Sequence, residues 1–109
     1  MIGVDLRGHG HSGWEPPWGV ETHLADLLAT ADALGLEQPA WLGHSFGGLL
    51  VAELAGHAPD RVGRAVLLDP ALHIDPSVAA EQADVARADL SFASADEAIE
   101  ARLSSGTLF

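Results

Sequence analysis

Between residues 39 and 58 the sequence PAWLGHSFGGLLVAELAGHA changes period without a loop. PAWLGH is a short apolar run suited to a buried strand. FGGLLVAELAGHA has the pattern of a helix, with Gly56 and Pro59 as its stop signals. One residue, Ser45, is left to turn the chain. A strand that passes at once into a helix forces its hinge residue into a strained conformation and requires small residues two positions to either side. Gly43 and Gly47 stand at those positions. The result is G-x-S-x-G in a strand–turn–helix context. Such a turn raises Ser45 Oγ above the carboxyl end of the strand, beside the free N–H groups and positive dipole end of the next helix. The plainer alternative is a βα turn that uses glycine only for tightness.

The flanking segments extend the same architecture. MIGVDL reads as a short buried strand, and RGHGHSGWEPPWG as a loop broken by Pro16 and Pro17. Val20, Leu24, Leu27, Leu28, Ala31 and Leu34 keep helical spacing up to a stop at Gly35, and RAVLLD reads as a third strand. Apolar strands alternating with helices predict an α/β fold: a parallel sheet of about three strands flanked by helices. After Pro70 the character changes. SVAAEQADVARADL and SADEAIEARLSS predict acidic, Ala-rich helices, the second opened by the capping box Ser94-x-x-Glu97. The organisation expected is a core over 1–73 and a helical segment over 74–109.

Composition narrows the partners. A chain of 109 residues that is 48% hydrophobic supports one domain with a small core. Its net charge of −11, with five Lys and Arg in all, opposes nucleic acid and anionic membranes. No apolar run approaches the roughly 20 residues of a membrane span. Without cysteine there is neither a disulfide framework nor a thiolate metal site. MIGVDLRGHG lacks the basic and apolar regions of a signal peptide, so the cytoplasm is the expected compartment. Oligomeric state is left open.

A second glycine motif competes for the function. Gly8-His9-Gly10-His11-Ser12-Gly13 matches G-x-G-x-x-G after a strand. A dinucleotide fingerprint needs a helix to begin within its glycines, so that the helix N-terminus meets the pyrophosphate. Here the chain runs into Trp14, Glu15, Pro16 and Pro17 instead. The ribose carboxylate would fall to Asp26 or Asp32, both inside the predicted helix. Nucleotide binding is therefore rejected. His9 and His11 form a two-imidazole pair without an evident third ligand, which argues against a metal. No cofactor is implied.

Three stretches in order, VDLRGHGHSG, GHSFGG and PDRVGRAVLLDPA, resemble landmarks of the α/β-hydrolase fold: its fourth strand and following loop, its nucleophile elbow, and its sixth strand. The resemblance covers about residues 1–73, and the segment after Pro76 is similar to the start of the helical cap that many members insert. It implies Ser45 as nucleophile and the Phe46 N–H as an oxyanion donor, and it marks Asp5, Arg7, Gly8 and Gly10 as structural. The small-molecule substrate implied is an ester, lactone or related acyl compound. Its acyl part would lie in an apolar pocket to which Trp14, Trp18 or Phe46 contributes.

In that family the chain order is serine, acid, histidine. Asp69 ends the third strand and matches the position from which some members take the acid; otherwise it is a polar cap on a strand end. Of the six histidines, only His57 and His73 follow Ser45. His57 lies about three helical turns on, roughly 16 Å at about 1.5 Å per residue, beyond reach. His73 lies past the third strand, whereas the family's base follows the last strand. His44 precedes the serine and is expected to point away. The family's earlier strands, later strands and catalytic histidine have no counterpart here. The expectation is a fragment of a longer enzyme, inactive alone; the alternative is a non-catalytic remnant or interaction module.

Overall fold

The computed structural model describes residues 1–78, 80 and 91–104. The chain divides into two compact units, Met1–His73 and Ile74–Phe109.

In the first unit, helix α1 (Val20–Ala33) is followed by strand β1 (Ala40–His44), helix α2 (Phe46–His57), a 3-10 turn (Pro59–Arg61) and strand β2 (Arg64–Leu68). The strands pair in parallel, from Ala40 opposite Arg64 to His44 opposite Leu68. A parallel pair needs a crossover, and α2 supplies it.

The core lies between the helices. Leu24 and Leu27 of α1 meet Leu50 and Leu54 of α2, with Leu6, Val20, Leu28, Trp41, Ala58 and Val62 packed around them. Leu50 and Leu54 are fully buried, each stabilising the fold by about 1.5–3 kcal/mol through apolar burial. α1 ends in a Schellman motif. The Leu36 N–H donates to the Ala31 carbonyl and the Gly35 N–H to that of Asp32, with Gly35 at φ 68°. Arg61 fixes this corner by donating to the Asp32 carboxylate and the Glu37 carbonyl.

Three expectations change. The sheet described has two strands, not three: Met1–Leu6 forms no ladder. Apolar sequence makes a strand only beside a partner for its N–H and C=O groups. This segment is held by side chains instead, with Ile2 and Val4 exposed. Gly56 does not stop α2, which runs on to His57. It ends where Pro59, lacking an N–H, cannot continue it. One side of the sheet also stays open. Leu42, Val66 and Leu68 share a face by register and are all exposed.

In the second unit, helix α3 (Ala95–Ser104) begins after Ser94, whose Oγ accepts from the Glu97 N–H at 3.2 Å. The returning Glu97 carboxylate accepts from the Ala93 N–H rather than that of Ser94, so the capping box is shifted by one residue. The other predicted helix, SVAAEQADVARADL, lies largely outside the described residues; 76–78 are helical. Asp75 accepts from both the N–H and Oγ of Ser77, and these bonds hold its carboxyl below the usual range. No helix among the described residues is long and apolar enough to cross a membrane.

Candidate active site

The elbow is a turn under strain. Ser45 has φ 51° and ψ −116°, in a region that residues with a Cβ avoid. Such strain costs on the order of 1–3 kcal/mol and persists only where the surroundings over-determine it. Here they do. The Ser45 N–H donates to the Leu68 carbonyl at 3.0 Å, and its own carbonyl accepts from Leu49 and Ala71. The hinge is thus tied to β2, to its own helix and to the turn after β2.

The glycines divide the work differently from the sequence expectation. A Cβ on Gly43 would collide with the Gly47 carbonyl and lie 2.7 Å from the Gly48 nitrogen. A Cβ on Gly48 would lie 2.8 Å from Pro70 Cβ. A Cβ on Gly47 would meet open space. Gly43 and Gly48 are therefore the close-approach positions, and Gly47 takes part only through its backbone, which faces Gly43. The G-x-S-x-G pattern does not single out Gly48, although the doubled glycine was its signal.

Ser45 is also the N-cap of α2, a position where a serine ordinarily accepts from the helix's first N–H groups. It makes no side-chain capping bond. The residue is exposed, and no acceptor among the described residues takes the N–H of Phe46 or Gly47. An exposed serine thus occupies the N-cap of a helix whose first donors are unsatisfied, and the positive end of a helix dipole favours negative charge.

Asp69 follows β2 with φ 43°, the other positive-φ residue with a Cβ among those described. Its neighbours Leu68 and Ala71 are the partners of the Ser45 backbone, so Asp69 sits in the turn that brackets the elbow. The histidines that adjoin or follow Ser45 make no hydrogen bond to it. His57, in the last turn of α2, turns Nδ1 to the Glu53 carbonyl, and His44 and His73 are exposed. No imidazole among the described residues is bonded to Ser45 Oγ.

The first glycine motif is closed on itself. The Gly8 N–H donates to the Gly13 carbonyl, Ser12 Oγ to the Asp5 carbonyl at 2.6 Å, and the His11 N–H to the Asp5 carboxylate. Arg7 reaches both Asp26 oxygens at 2.8 Å and the Glu15 carbonyl. The bidentate bond from Arg7 lowers the Asp26 carboxyl below its usual range and raises the guanidinium in return. No helix starts until Val20. His9 and His11 belong to no group of three potential metal ligands among the described residues.

A model of the alpha/beta hydrolase fold family matches residues 1–104. The chain belongs to that family. It is 42% identical over 80 residues to lipase LipV of Mycobacterium tuberculosis, a match covering 73% of this chain and 31% of that protein. It is 36% identical over 69 residues to esterase YbfF of Escherichia coli, covering 63% and 27%. The crystal structure of an enol-lactonase from Burkholderia xenovorans LB400 superposes with a TM-score of 0.71 at 36% identity, covering 78% of this chain and 34% of that one. The chain thus spans between 27% and 34% of the length of these three relatives.

The three aromatic residues named as pocket candidates, Trp14, Trp18 and Phe46, are all at least partly exposed. Trp14 is exposed, and the half-exposed Trp18 ring covers Gly8. One surface hollow, about 510 Å³, is lined by Asp32, Gly35, Leu36, Glu37, Asp60 and Arg61; another lies over the Arg7–Asp26 pair. Neither includes Ser45 or the three aromatic residues. In both hollows the arginine also donates to groups of the fold, Arg61 through Nε and Nη2 and Arg7 through all three guanidinium nitrogens.

One residue beside the elbow escaped the sequence reading. His23 of α1 is buried, bonds through Nδ1 to the Gly19 carbonyl at 2.9 Å, and meets the Phe46 ring edge-on at 5.3 Å. Its position between Val20, Leu24 and Leu27 on the apolar face of the helix was the available signal.

Proposed function

We propose that this chain carries the nucleophile-bearing part of a serine hydrolase acting on a small ester, lactone or related acyl substrate. Ser45 Oγ attacks the acyl carbon, and the oxygen that becomes negative is received by the Phe46 N–H. The alkoxide leaves with a proton, and water then releases the acid from the acyl-serine. The observation that carries this reading is the strained, exposed Ser45, which caps no helix N–H although it occupies the capping position. The names of the relatives, a lipase, an esterase and an enol-lactonase, support the substrate class. Asp69, in the turn bonded to the Ser45 backbone, is the proposed acid, and the Phe46 ring is the aromatic surface offered to the acyl group.

The Oγ proton needs a base, and a serine hydroxyl is a poor nucleophile without one. No described imidazole is bonded to it, so the chain alone is proposed to be catalytically incomplete. The same observation favours the second reading, a non-catalytic module with the hydrolase fold. Hydrolysis of p-nitrophenyl acetate by the 109-residue chain tests incompleteness. Trace turnover is expected, without an inflection near the histidine pKa of about 6.5 and barely altered in Ser45→Ala. Fast turnover with a histidine-like titration, lost in Ser45→Ala, would mean that a base is present. His73→Ala would then be the next variant.

A further inference from the structure

The first turn of α2 is poor in anchors. Its residues are Phe46, Gly47 and Gly48, and the two glycines bring backbone freedom without side chains to hold it. Gly48 is backed by Pro70 on the side of β2. Towards α1 the turn presents one side chain, Phe46. Its ring meets His23 at a centroid distance of 5.3 Å and an interplanar angle of 89°, the edge-to-face geometry that aromatic rings favour.

His23 is itself immobilised. It is buried on the apolar face of α1, next to Leu24 and one turn before Leu27 of the core. The Gly19 carbonyl can only accept, so the 2.9 Å contact requires the proton on His23 Nδ1. That bond fixes the ring plane, and the ring plane fixes the edge offered to Phe46.

We propose that His23 is a positioning residue for the oxyanion-binding turn: acting through the Phe46 ring, it fixes the direction of the Phe46 and Gly47 N–H groups beside Ser45 Oγ. This rests on Ser45 being the nucleophile. His23 does not touch the reacting atoms. It substitutes for the side-chain anchors that Gly47 and Gly48 cannot provide.

The test combines a rate with a site-local signal. The rate is that of phosphonylation of Ser45 by a small alkyl fluorophosphonate at high probe concentration, followed by mass spectrometry. His23→Leu keeps apolar volume but removes the aromatic edge, and is expected to slow labelling roughly three- to tenfold, the size of one aromatic edge contact. His23→Phe restores an aromatic edge and should recover most of that loss. Phe46→Leu keeps the backbone donor and should slow labelling as much as His23→Leu, with the double variant no slower than either. Because Phe46 is partly exposed, this arm stands even if His23→Leu does not fold. In parallel, the amide resonances of Phe46 and Gly47 should shift in His23→Leu and return towards their original positions in His23→Phe. Additive losses, or unmoved amides with an unchanged rate, would overturn the proposal. If the unmodified chain takes no label at Ser45, the nucleophile assignment fails, while the amide shifts still decide whether His23 sets the turn.

Discussion

The two glycine motifs of this chain, at residues 8–13 and 43–48, look alike in sequence and differ in what they leave unused. In the first, the polar groups that could act on a ligand are bonded within the loop. Asp5 takes the His11 N–H and Ser12 Oγ, Arg7 grips Asp26, Gly10 packs on the Asp5 carboxylate and Gly8 on Trp18. In the second, the backbone is equally constrained, but Ser45 Oγ and the N–H groups of Phe46 and Gly47 are left over. Glycine serves close approach in both places. Chemistry is expected where that packing ends in unsatisfied groups.

The largest effect should come from the glycine that the elbow's backbone presses on. Gly43→Ala sets a Cβ against the Gly47 carbonyl, which cannot move without unwinding α2, and should cost at least ~1–3 kcal/mol in a urea melt. Gly10→Ala attacks the other motif. Its φ of 50° disfavours a side chain by about 1–2 kcal/mol, and its Cβ would meet the Asp5 carboxylate. Stability should fall there without altering any reactivity of Ser45. If Gly10→Ala changed Ser45 labelling as strongly as Gly43→Ala did, the separation of roles would be wrong.

The Arg7–Asp26 pair sharpens the contrast through pH. The folded state holds the Asp26 carboxyl below the 3.8 of a free aspartate. Its contribution is therefore complete above that value and disappears as pH falls through the lower folded pKa, while Arg7 stays charged throughout. The stability gap between the unmodified chain and Asp26→Asn should be constant near neutrality and close in acid below about pH 4. Asp75 shifts in the same direction but is present in both proteins and cancels. A gap that ignores acid would mean that the pair does not hold the loop. The smallest expected effect is a gain: Gly47→Ala faces open space inside a helix and should stabilise by about 0.5–1 kcal/mol.

That last expectation reverses the one the sequence suggested, and the reason is instructive. Periodicity located α1, β1, α2 and β2 because each element's own residues encode it, and Gly35 ended α1 through a local motif. The strained turn at Ser45 was legible because strand and helix patterns abut with no residue between them. Which glycine is crowded depends on what lies across from it. Pro70, the partner of Gly48, is 22 residues further on, and nothing in the G-x-S-x-G pattern refers to it. Met1–Leu6 fails as a strand for a similar reason: its composition suits a ladder, but a ladder needs a second strand. His23 was readable as a polar residue on an apolar face, yet its contact with Phe46 arises only when α1 packs on α2.

The second motif, not the first, is proposed to hold a hydroxyl for reaction. Each motif contains one serine, so the chain supplies its own control. After prolonged exposure to a small fluorophosphonate, peptide mapping by mass spectrometry should find the label on Ser45 and not on Ser12, whose Oγ is committed to the Asp5 carbonyl at 2.6 Å. Labelling should be slow, as befits a serine with no bonded imidazole. Label divided evenly between the two serines, or absent from Ser45, would mean that the second motif holds no hydroxyl for reaction.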